Sequence, residues 1–163
     1  MDETEFWRII DDVHRRAGDD LQARIDCLEG ELRQRDQDAI QEFQRQYDRQ
    51  IVASYRWDLW GAAHLMNGGC SDDGFRYFRD WLISEGRKTF ESALHSPDSL
   101  ADLPKVELAE NELFGYVALH AFEDKGGGEL DRDMSTEGAD PKGTAWEEED
   151  LPGLFPRLAS KYQ

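Results

Sequence analysis

The chain has 163 residues and a formal net charge of −17, from 36 acidic and 19 basic side chains. That length suits one domain with a core large enough to fold without disulfides or a bound metal. The acidity excludes general binding to DNA, RNA or anionic lipid, whose phosphates need Lys and Arg, and no run approaches the ~20 apolar residues of a membrane span.

In chain order, the first segment, Met1-Asp2-Glu3-Thr4-Glu5, lacks the basic-then-apolar pattern of an export signal. Phe6, Ile9, Ile10 and Val13 recur at helical spacing. Asp2 or Thr4 can cap this first helix, and Gly18 follows it. Leu21, Ile25, Leu28 and Leu32 form a second helical stripe, on which Cys27 reads as a packing residue. Asp36 caps a third helix with Ile40, Phe43, Tyr47 and Ile51 on one face. The pattern leaves open whether that helix continues through Met66 or breaks near Ile51-Val52.

Asn67-Gly68-Gly69 stops the next helix, because Asn and Gly tolerate positive φ. Ser71 is an N-cap, with Asp72 and Asp73 in the first turn where the helix dipole favours anions. Phe75, Phe78 and Leu82 carry the stripe, with Trp81 beside them, as far as Gly86. A shorter helix covers Arg87 to His95 and ends before Pro97. Another is expected from about Leu108 to Phe122, burying Leu113, Val117 and Phe122 or their neighbours. Leu151, Leu154, Phe155, Leu158 and Tyr162 mark one last short helix, interrupted by Pro152 and Pro156. No segment alternates with period two. The expected fold is all-α: a single domain of six to seven helices in two layers.

Between Glu123 and Asp150, eleven acids stand against three bases, so nearly half the net charge (−8) sits in a sixth of the chain. This segment also holds Gly126-Gly127-Gly128, Gly138, Pro141 and Gly143. With few apolar residues to bury, it reads as a long, mobile acidic loop.

The densest stretch is Tyr55 to Gly86, with three of the five tryptophans. On a helix, Trp57, Trp60, Gly61 and His64 share one face. The functional reading is a pocket lined by Trp57, Trp60 and His64, on which Asp58, Cys70, Asp72, Asp73 and Arg79 converge. A purely structural role accounts for the same residues: Asp72 and Asp73 start a helix, the indoles are core, and Asp58 pairs with Arg79 or a backbone amide.

The pattern Phe6-Trp7 with Ile10, Trp57-Asp58-Leu59-Trp60 with Ala62-Ala63, and Gly68-Gly69-Cys70-Ser71-Asp72-Asp73 followed by Phe75, Phe78-Arg79, Trp81-Leu82-Ile83 and Gly86 resembles a bacterial domain of unknown function. That family occurs alone or joined to a WGR domain of the kind found in molybdate-metabolism regulators. The resemblance spans about Met1 to Phe122. It implies no activity, and the regulatory link is one of domain association.

Specific chemistries find little support. His64, Cys70 and Asp72 or Asp73 lack zinc-site spacing. Asp131, Asp133, Ser135 and Glu137 begin like a calcium loop, but Thr136 and Lys142 stand where its turn glycine and last Glu belong. Cys70 precedes a helix N-terminus, which lowers a thiol pKa, yet two carboxylates oppose the thiolate. Gly68-Gly69 lacks the Gly-Lys-Ser/Thr ending of a phosphate loop. No metal or cofactor is expected, and Cys27 and Cys70 read as free cytosolic thiols.

Two functions follow as expectations. The first is a cytoplasmic binding or regulatory module whose acidic face takes a basic protein partner. The second is a small enzyme or ligand-binding protein using the Trp/Asp/His/Cys group around residues 57–73.

Overall fold

A computed structural model describes all of residues 1–163. It contains nine α-helices, three 3₁₀ turns and no strand. The helices are α1 (Glu3–Ala17), α2 (Leu21–Arg33), α3 (Gln37–Ala53), α4 (Trp57–Asn67), α5 (Asp72–Ser84), α6 (Arg87–His95), α7 (Val117–Asp124), α8 (Leu151–Leu154) and α9 (Pro156–Tyr162). None is long and apolar enough to cross a membrane.

The first three helices begin on the same device. Asp2, Asp20 and Asp36 each accept a backbone N–H three residues on, from Glu5, Ala23 and Ala39. Such a cap satisfies a donor that the helix leaves free and contributes about 1 kcal/mol. Ser71 does the same for α5 through the amide of Gly74. Gly18 ends α1 at φ +65°, and Gly68 closes α4 in the left-handed region at φ +67°.

Thirty-six buried apolar residues form one continuous cluster. Phe6 of α1 meets Phe43 and Tyr47 of α3, Trp7 meets Phe90 of α6, and Ile10 and Val13 of α1 are buried in the same cluster with Phe75, Phe78, Trp81 and Leu82 of α5. Helix α1 packs on α2, α7 closes over α2 and α3, and α9 covers α4. The α2 stripe differs from expectation. Leu21 and Ile25 are only half-buried, while Arg24 is buried and donates to the Gly18 carbonyl, Ser84 Oγ and Glu85. A charged side chain can occupy that interior position because its donors are satisfied.

Two breaks raise the helix number above the expected six to seven, and one expected helix is shortened. The third helix breaks at Ser54, whose hydroxyl donates back to the carbonyls of Gln50 and Ile51. The segment expected to be helical from Leu108 opens only as a 3₁₀ turn at Glu112–Tyr116, and α7 starts at Val117. There Asn67 draws the backbone of Ala109 into two hydrogen bonds, which holds it out of a helix. Phe114 takes the core position, leaving Leu113 54% exposed. The C-terminal helix divides at Phe155 into α8 and α9, since Pro156 cannot continue the preceding helix.

Residues 125–147 contain no helix and run back across α3. They are tied down along their length. The Gln37 and Gln41 side chains donate to the carbonyls of Lys125 and Asp131, and Asp48 accepts the amide of Asp133. At the break between α3 and α4, Lys142 accepts the amide of Trp57 and donates its own to the Tyr55 carbonyl. Leu130 and Pro141 are buried beneath this strap.

Candidate functional site

The tryptophan motif builds an aromatic column. Trp57 and Trp60 stack at 5.3 Å and 10°, and Trp60 stacks on Phe75 at 5.0 Å and 12°. The Trp60 indole donates to the Cys70 carbonyl, fixing the α4–α5 turn. Trp146 arrives from the strap and donates its indole N–H to the Trp57 carbonyl at 2.6 Å. Its ring also lies against His64, whose Nε2 is 3.2 Å from Glu148. Gly61 makes room for this joint: a Cβ there would lie 2.8 Å from Leu151 and 2.9 Å from Phe155.

Trp57, Trp60 and His64, expected to line one pocket, line neither of the two main clefts, and the predicted residues that do line one divide between them. Asp58 lines the larger, of about 1040 Å³, between α4, the strap and α8. Its carboxylate takes two hydrogen bonds from Arg56 and one from the Leu59 amide, so its partner is Arg56 and not Arg79. Leu94, Trp146, Leu154 and Phe155 supply the apolar lining, and Lys142 and Asp150 stand at the edge. Leu154, expected on a buried stripe, is 55% exposed.

Asp72, Asp73 and Arg79 line the second cleft, of about 150 Å³, between α5, the Glu112–Tyr116 turn and the strap. Arg79 is 3% exposed. It donates to the Ile51 and Phe75 carbonyls, and its guanidinium lies 4.8 Å from the ring centres of Tyr55 and Phe75. Burial pulls its pKa down to about 10. Beside it, buried Asp80 accepts the Tyr47 hydroxyl at 2.6 Å and pairs with Arg76 at 3.3 Å. Desolvation pushes the Asp80 carboxyl up to about 6, against the pull of Arg76 and Tyr47.

Sequence reasoning missed Arg76, Asp80 and Tyr47. Arg76 and Asp80 stand four apart on one helix, a spacing that puts them in contact. Their burial depended on Gly115: a Cβ there would lie 2.6 Å from Asp80 Oδ1, so only glycine lets the turn close over the carboxylate.

Cys70 belongs to neither cleft. Desolvation first, then the Glu110 charge, pushes its thiol up to about 12. In a Cys27→Ser background, Cys70 is expected to react with iodoacetamide at pH 8 more than tenfold slower than free cysteine, because the thiolate is the nucleophile. Mass-spectrometric labelling rates test this. No three His, Cys, Asp or Glu side chains are grouped to hold a metal ion.

A family model described as a protein of unknown function, DUF4240, matches residues 1–124. The chain belongs to this DUF4240 family. The match takes in α1 to α7 with the tryptophan column and ends at Asp124, before the strap. No curated protein and no solved structure matches the chain. Both clefts are therefore composite, with one wall from the DUF4240 region and the other from residues beyond it.

Proposed function

We propose that the chain is a non-catalytic binding module that takes a basic segment of a partner protein, in keeping with a cytoplasmic regulatory role. One observation carries this reading. All eleven acids between Glu123 and Asp150 are exposed, and only Asp124, Asp131 and Glu148 make ion pairs. The other eight are exposed and make no ion pair. Glu147 to Asp150 adjoin the large cleft, where Leu154 and Trp146 offer an apolar seat. An apolar anchor in that cleft with Lys or Arg on either side would satisfy both features. Such complementarity governs on-rate and selectivity more than raw affinity.

Fluorescence polarisation with labelled twelve-residue peptides, each bearing one Leu or Phe flanked by Lys and Arg, tests the proposal. Binding is expected to weaken as salt rises. Glu148→Gln with Glu149→Gln should weaken it at least fivefold, and Leu154→Asp should do the same. Asp19→Asn with Asp38→Asn, which removes the same charge from another face, should change it less than twofold. Equal losses from the two paired variants would reduce the effect to net charge and overturn the proposal.

A further inference from the structure

The second cleft holds an unexplained charge. A buried guanidinium normally sits against a carboxylate, because an unpaired buried charge forfeits its hydration. Arg79 is 97% removed from solvent and makes no ion pair. Asp80, the nearest buried acid, is already committed to Arg76 and Tyr47. Arg79 spends its Nε and Nη1 donors on two backbone carbonyls. Its Nη2 has no hydrogen-bond partner and is not among the sealed unsatisfied atoms of the protein, so it keeps access to the cleft that Arg79 lines.

The rest of the cleft narrows what could meet that nitrogen. Arg76 and Arg132 add positive charge on the same lining, and Arg132 is held over the Tyr116 ring at 5.5 Å. Asp72, Asp73 and Glu137 also line it, and all three are exposed. A simple anion would gain from the arginines but be repelled by these acids. A simple cation would meet the acids and be repelled by Arg79. A molecule carrying both charges satisfies both. The volume of about 150 Å³ is that of roughly five water molecules at ~30 Å³ each, enough for a small organic ion.

We infer that this cleft binds a small zwitterion of the α-amino-acid type, its carboxylate on Arg79 and its ammonium group toward Asp72 and Asp73. This site is separate from the strap-side cleft proposed for a protein partner, and either can fail without the other.

Isothermal titration calorimetry of the full chain with glycine, L-alanine and L-serine tests the inference, with acetate and ethylammonium as single-charge controls. At least one amino acid should bind saturably, and both controls at least tenfold more weakly. Arg79→Leu should abolish the heat. Should that variant fail to fold by circular dichroism, the exposed pair Asp72→Asn with Asp73→Asn decides: it should cut the preference for amino acid over acetate at least fivefold. No saturable binding by any of the three amino acids would overturn the inference, as would acetate binding equally well or a preference unchanged in the Asp72/Asp73 variant.

Discussion

Asp80→Ala is expected to lower the unfolding free energy at pH 7 by about 3 kcal/mol, read by urea denaturation. Removing one member of a buried ionic network costs about 3–5 kcal/mol, since the groups left behind lose their partners. Here the Tyr47 hydroxyl would be orphaned in the core, while Arg76, partly exposed, could rehydrate and limit the loss. The pH dependence carries a definite sign. The folded carboxyl titrates at about 6, above its ordinary value of 3.8. The folded state therefore takes up this proton first, and Asp80 adds stability as pH falls through 6 toward 4. The gap between wild type and Asp80→Ala should widen by about 1 kcal/mol from pH 7 to pH 5. A gap that narrows over this window would contradict the raised folded pKa.

Gly115→Ala should cost about 2 kcal/mol, within the range for overpacking a filled interior. Gly115 does not have positive φ, so the backbone accepts alanine and the cost is steric. The added methyl would sit 2.6 Å from Asp80 Oδ1, a group held from two sides and unable to swing away. The double variant Gly115→Ala with Asp80→Ala should then cost less than the sum of the two single changes by at least 1 kcal/mol, because the clash needs the carboxylate. Strict additivity would show that the methyl disturbs something else.

The helical class was legible in the sequence because its signals are local. Asp36, Ser71 and the Gly68 stop announce themselves within a few residues, and the stripe through Phe6, Ile9, Ile10 and Val13 needs no partner to be read. The site was only half legible, because its assembly depends on contacts between distant segments. Trp57 and Trp60 stack on one another, but the His64 ring lies against Trp146, which comes some eighty residues later in the chain. Asp58 and Asp72, which looked like one cluster, face different clefts because the α4–α5 turn separates them. The destination of Arg79 could not be read from α5 alone. It depends on the Ile51 carbonyl and the Tyr55 ring, both at the break in a helix whose end the pattern left open.

The strap imposes an order of events on a chain made from its N-terminus. The hydrogen bonds that seat it join residues 84 to 90 positions apart. Helices α1 to α3 can cap and pair while the remainder is still being synthesised. The backbone groups of Tyr55 and Trp57, which end up bonded to Lys142, must wait in water until nearly ninety further residues have emerged. The two clefts accordingly come into being late, and a nascent or truncated chain that stops short of Arg132 would carry the DUF4240 helices without either composite site.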